Sequence, residues 1–264
     1  PLLEVLWSMV LYLGETDKPW QEVAAQRTQG TVGLTALSPG MLSRQHDGRW
    51  LPMLQVSAKA LERRSGSLVE VLHRLLTQPD FSDTERLGFL VESEIEYFHD
   101  SVGIEGDRWA RLESQAVHHE QAQWQRAKRG RPLIEALQRL HALLESDEAA
   151  AVALLTDHWQ RLMAMPALVF SIGEAAAQKQ GERLARRLAT STPWDARHKG
   201  RPLGSPTLDP RLFALTGTTP VNFCHQSWPA PRADNPDAPL LELAARWMEH
   251  AFLLGAVREK GSAY

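Results

Sequence analysis

The sequence predicts an α+β fold: helices packed on a small mixed or antiparallel sheet over residues 1–190, then a second α+β domain only begun in residues 211–264. Three observations predict it. Apolar residues recur at helical spacing through most of the first 190 positions, a few short runs read as strands, and a proline-rich stretch from 191 to 210 separates these from the remainder of the chain.

Leu2, Leu3, Leu6, Met9, Val10 and Leu13 stand at helical spacing. Pro19 opens a second helix to about Thr28, because a first turn does not need the N–H that proline lacks. Residues 31–36 and 50–57 are strand-like and flank a polar loop, as in a hairpin or adjacent strands. Pro52 cannot donate to a ladder, so the second strand lies at an edge or starts after it. Residues 67–77 carry Leu68, Val69, Leu72, Leu75 and Leu76 on one helical face, and Pro79 stops them. Ser82-Asp83-Thr84-Glu85 is a capping-box signature for a long helix from about Leu87 to Trp124, with an interruption expected at Gly103 to Gly106.

Residues 131–144 and 148–165 are two further amphipathic helices, the second led by Ser146-Asp147 as cap and dipole partner and ended by Pro166. Residues 167–172 read as a short apolar strand, and Gly173 passes the chain to a helix over 174–188. Pro193, Pro202, Pro206 and Pro210, with Gly200 and Gly204, mark residues 191–210 as a linker. A strand at about 219–228, a proline-rich turn over 229–239 and a helix over 240–257 complete the expected elements.

Composition excludes several classes. A chain of this length buries about three quarters of the surface it exposes when unfolded, so a substantial core is expected. Hydrophobic residues at 43% and charged residues at 23% place it among globular proteins. Lys and Arg number 29 against 32 acids, a net charge of -3, so no global field favours nucleic acid and no nucleic-acid partner is expected. Apolar runs such as 149–155 fall far short of the ~20 residues that span a bilayer, so a soluble chain without a membrane partner is expected. The single Cys224 permits no internal disulfide and suits a reducing compartment; its setting, Val221-Asn222-Phe223-Cys224, reads as a buried strand thiol. Richness in Ala, Arg and Leu suits a bacterial cytoplasm.

No catalytic centre is recognisable in the segment. A zinc peptidase helix needs two His one turn apart with a Glu beside one of them. His118-His119-Glu120 comes nearest, yet the position four after His119 is Gln123, and the inverted His-x-x-Glu-His order fails at every histidine. His141 and Glu145 share a helical face but read as a solvated pair. There is no glycine-rich phosphate loop and no Gly-x-Ser-x-Gly elbow. The chain opens on Pro1-Leu2-Leu3 without an initiator Met and closes on Val257-Arg258-Glu259-Lys260-Gly261-Ser262-Ala263-Tyr264, which reads as a segment cut from a longer protein.

Several stretches together resemble one family. Gly30 to Ala36, Leu54 to Leu61 with its succeeding helix, and Phe81-Ser82-Asp83-Thr84-Glu85-Arg86-Leu87 resemble the third domain of presequence proteases, a branch of the insulinase and pitrilysin clan of inverted-motif zinc metallopeptidases. The closing Arg258-Glu259-Lys260-Gly261-Ser262-Ala263-Tyr264 resembles an Arg-Glu-Lys-Gly-Gly-Ala-Tyr stretch of the fourth. Ser262 stands where that stretch has its second glycine, and Val32 where the family commonly shows glycine.

The resemblance implies a parent of four related α+β domains closing like a clamshell around a chamber. Its N-terminal half, the partner of this segment in the same polypeptide, would carry the zinc ligands and the catalytic Glu, so the segment itself would bind no metal and hold no catalytic residue. It would instead supply chamber wall, with Arg258 and Tyr264 reaching across the cleft to a peptide substrate. Hydrolysis of a peptide bond places negative charge on the carbonyl oxygen, and a guanidinium or phenol aimed at it stabilises that charge. Arg258 and Lys260 also stand where cations favour a helix C-terminus. Two other readings compete. One is a non-peptidase scaffold or assembly subunit of the same clan that lacks the metal motif. The other is a helical interaction module anchored by exposed Trp109 and Trp124, although aromatic residues on long helices more often belong to a core.

Overall fold

The computed structural model describes residues 2–42, 50–165, 167–191, 221–231 and 235–261. The chain divides into two compact units, Pro1–His225 and Gln226–Tyr264. The expected linker lies outside the described residues from 192 onward.

The first unit opens with α1 (Leu2–Met9), a 3-10 turn (Val10–Tyr12) and α2 (Trp20–Gly30). Four short strands come next: β1 (Val32–Leu37), β2 (Gly40–Leu42), β3 (Trp50–Pro52) and β4 (Gln55–Lys59). Then come α3 (Ser65–Thr77), α4 (Thr84–Ile104), α5 (Gly106–Gln115), α6 (Glu120–Arg129), α7 (Arg131–Ser146), α8 (Glu148–Met163) and α9 (Ala175–Ser191). The α+β expectation holds, with helices predominating.

The two strand-like runs are adjacent and antiparallel: β1 pairs with β4 in the register Leu37 to Gln55, Ala36 to Val56 and Thr35 to Ser57, while β2 pairs separately with β3. Register slips between Val32 and Thr35, where Gly33 takes a φ of +62° that disfavours any side chain. Pro52 ends β3, so the run expected as one strand is two. Leu34, Ala36, Leu54 and Val56 turn toward the helices; Thr35 and Ser57 face outward and bond each other at 2.8 Å.

The core is built around α1. Val5, Leu6, Trp7 and Met9 are all buried, together with Val10 and Leu13, so this helix is enclosed on most sides instead of lying on the surface. It packs against α7 through Leu133, Leu137, Leu140 and Leu144, and against α8 through Ala151, Leu155, Trp159 and Leu162. Each fully buried Leu or Val contributes about 1.5–3 kcal/mol. Trp7 stacks on Trp159 at 6.0 Å, and Phe81 meets Trp159 edge-on at 6.1 Å. Both indole N–H groups donate to backbone carbonyls, Trp7 to Leu37 at 2.9 Å and Trp159 to Leu76 at 3.0 Å, so neither polar atom is stranded.

The cap of α4 is Asp83 and not the Ser82 of the expected capping box, whose N–H donates to Asp80 Oδ1 at 2.8 Å; Asp147 caps α8 where expected. Asp83 accepts from the Arg86 N–H at 2.9 Å, and Asp147 from the Ala150 N–H at 3.0 Å. The interruption expected at Gly103 to Gly106 falls at Glu105, and a second break at residues 116–119 divides the expected long helix into three. The first break lets α5 turn so that Trp109 packs edge-on to Phe98 at 5.6 Å. Trp109 is only 5% exposed and Trp124 is half-buried, which corrects the reading of both as exposed anchors.

Two expected strands do not form among the described residues. Residues 167–172 have no ladder partner; Val169 packs on Val69, Leu184 and Leu188, while Leu168, Phe170 and Ile172 are 91%, 80% and 84% exposed. Residues 221–228 are irregular. Part of that run lies against α5 instead: His225 Nδ1 is 2.6 Å from Ser114 Oγ, and the Phe223 ring covers Gly106 so closely that a Cβ there would come within 2.0 Å of it. Cys224 is therefore an exposed thiol, not a buried strand residue.

In the second unit, α10 (Ala238–Met248) runs directly into a π-helix (Glu249–Glu259), close to the helix expected over 240–257. None of its residues is buried, and Leu243, Trp247 and Phe252 are exposed.

Candidate functional site

Arg258 stands in the last turn of the π-helix with its side chain exposed. The Lys260 N–H donates five residues back, to the Gly255 carbonyl, at 3.1 Å. A π-turn re-aims the side chains beyond it, and such turns are rare and frequent at functional sites. Tyr264 lies outside the described residues.

The described residues do not assemble a zinc donor set, for no group of three or more His, Cys, Asp or Glu among them is arranged to hold a metal ion. His119 is occupied as the N-cap of α6, its Nδ1 accepting from the Ala122 N–H at 3.1 Å. His141 Nδ1 lies 3.7 Å from Glu145 Oε2 in the solvated pair its spacing suggests. No described helix is long and apolar enough to cross a membrane.

The strongest electrostatics in the first unit are in three polar clusters that the sequence does not advertise. In the first, buried Glu15 lies 3.7 Å from Arg27 Nη2 and also accepts from Arg74, which bonds exposed Asp17 as well. Arg27 Nη1 donates to the Val10 and Leu11 carbonyls at 3.2 and 2.7 Å, satisfying the end of the 3-10 turn. Burial pushes the Arg27 guanidinium below its ordinary pKa, and the Glu15 charge opposes that. A faint signal exists: Val23, Arg27 and Gly30 share one face of α2, and all three are buried.

In the second cluster, Lys128 Nζ donates to the Ser38 carbonyl at 2.7 Å and to Ser38 Oγ at 3.0 Å, while Ser38 Oγ donates to Glu4. Burial holds the Lys128 ammonium below the usual lysine range, opposed by Glu4. Ser38 is buried, so its hydroxyl is closed to a substrate and this cluster ties α1, the end of β1 and α6 together. The run Gln125-Arg126-Ala127-Lys128-Arg129 reads as a solvated face, and nothing local marks Lys128 as the buried member.

The third cluster fastens α9 to α3. Arg187 donates to Glu70 at 2.6 Å and to His73 Nδ1 at 3.1 Å; Nδ1 must then be the acceptor, so Nε2 carries the proton and donates to Ser191 Oγ at 3.0 Å. The Arg187 hydrogen bond lowers the Glu70 pKa, while burial first, and then the Arg187 charge, lowers that of His73. The folded state thus favours neutral His73. Its stability is full above the unfolded histidine pKa of about 6.5 and is lost as pH falls below it, through the lower folded-state value. Thermal unfolding should therefore weaken between pH 7.5 and pH 5, and a His73→Gln variant, which keeps one acceptor and one donor, should show a smaller loss. Equal losses in the two proteins would remove His73 from the account.

The sequence model of a peptidase-associated family, the region associated with subfamily C of the M16 peptidases, matches residues 1–140. Over all of its length the chain is 21% identical, across 285 aligned positions, to "Presequence protease, mitochondrial" of Schizosaccharomyces pombe, and it spans 27% of that relative, about a quarter.

Proposed function

This chain belongs to the family associated with subfamily C of the M16 peptidases, and from that premise we propose that it is the non-catalytic C-terminal part of a zinc metalloendopeptidase that degrades short unstructured peptides. The observation that carries the reading is the family match over residues 1–140, joined by an alignment to a presequence protease that extends through the remaining residues. In this reading residues 1–190 are a third-domain-like unit, 191–210 a linker, and 211–264 the start of a fourth-domain-like unit. The segment forms chamber wall, and the metal and the catalytic carboxylate belong to the N-terminal half of the parent.

Arg258 and Tyr264 are then substrate-contacting residues. As the scissile carbonyl becomes tetrahedral, its oxygen gains negative charge, and a guanidinium or phenol O–H held against it in a water-poor chamber lowers the barrier. Arg258 is suited to this because its planar fork presents N–H donors in a fixed geometry that matches oxygen acceptors.

The test uses separated halves. The chain alone should hold no stoichiometric zinc and cleave no peptide, whereas adding it to the separately produced catalytic half should restore part of the peptidase activity. One tight zinc per chain by metal analysis would overturn the assignment of the ligands to the other half.

A further inference from the structure

A groove of about 370 Å³ lies between α5 and α6, within the size range of small-ligand pockets. Its composition is one-sided. The nine lining residues include Arg108, Arg111, Arg129, His119, Gln115 and Gln125, and no carboxylate. Arg108 is paired with Glu105, which does not line the groove, but Arg111 and Arg129 have no side-chain acceptor among the described residues. The walls are fixed from beneath: buried Glu113 on α5 accepts from Arg126 Nε on α6 at 2.6 Å, so that ion pair holds the two helices together. Because His119 Nδ1 is engaged in capping α6, the imidazole keeps its proton on Nε2 and adds a donor to the lining.

Arg111 and Arg129 are exposed on the rim of one groove with no carboxylate paired to them among the described residues, and a bound anion would supply that counter-charge. Their planar forks match carboxylate and phosphate oxygens two at a time. The glutamine amides supply further donors without adding charge. We propose that the groove between α5 and α6 binds a small anion carrying two or more negative charges, held by Arg111 and Arg129, with Arg108 and His119 completing its hydrogen bonds. The inference stands on the groove alone and does not depend on the peptidase reading.

Titration calorimetry of the protein at neutral pH and low salt, with pyrophosphate in one arm and citrate in the other, tests it. Saturable binding at one site is expected in at least one arm, at least tenfold weaker in an Arg111→Gln, Arg129→Gln double variant. It should be unchanged in Arg186→Gln, a control on exposed α9. Glutamine is a good helix former, so the variants keep α5 and α6, which circular dichroism checks. Binding of pyrophosphate alone assigns a phosphate ligand and binding of citrate alone a carboxylate; binding of both assigns a general anion site. No saturation in either arm, or an equal loss in the Arg186→Gln control, overturns the proposal.

Discussion

Replacing Glu15 by alanine should lower the stability of the first unit by about 3–5 kcal/mol, the usual cost of removing one partner from a buried ion pair. The reason is what remains. Arg27 is buried, and it stays anchored by its bonds to the Val10 and Leu11 carbonyls, so it cannot withdraw to solvent when Glu15 is lost. Arg74 loses its buried acceptor at the same time, keeping only exposed Asp17. For a chain of this size the loss corresponds to a fall in unfolding temperature of roughly 10 °C. Asp17→Asn, which removes only the exposed acceptor, should cost no more than about 1 kcal/mol. The two variants measured side by side by thermal or urea unfolding decide the matter. If Glu15→Ala costs as little as Asp17→Asn, the Arg27 charge is solvated by another route.

In the full-length peptidase proposed above, Arg258→Ala or Tyr264→Phe should reduce kcat by about 10²- to 10³-fold, the range for losing one donor to a developing oxyanion. KM should change much less, since the contact strengthens only as charge develops. Folding should be intact, because Arg258 is exposed and makes no core contact. Arg258→Lys separates geometry from charge: a large loss in that variant identifies the guanidinium fork as the working feature. Unchanged turnover would leave Arg258 with the modest role of a cation at a helix end, worth about 0.3–1 kcal/mol.

The helical part of this fold is legible because it is written locally. Asp83 and Asp147 sit where capping chemistry requires them, and α7 and α8 run within two residues of the ranges that apolar spacing marks. The illegible part depends on partners far along the chain. Residues 167–172 have the apolar content of a strand, but a strand needs another strand beside it, and no such pairing forms among the described residues. The break at Glu105 falls where Gly103 and Gly106 mark an interruption, but the packing of Trp109 on Phe98 that it permits depends on how α5 turns, which local spacing does not show. Of the candidate site, the residue types at 258 and 264 carry a resemblance, and the π-helix that contains Arg258 has no sequence signal at all. Lys128 shows the same limit, being buried within a basic run whose other members are not.

The contact between Trp7 and Trp159 also sets the timetable of folding. These rings meet across roughly 150 residues of chain, so α1 is made well before the helix that completes its enclosure. At ribosomal rates of about 5–20 residues per second, Trp7 waits roughly 8–30 s for Trp159 during synthesis. The enclosure of α1 is thus completed only once α8 has emerged.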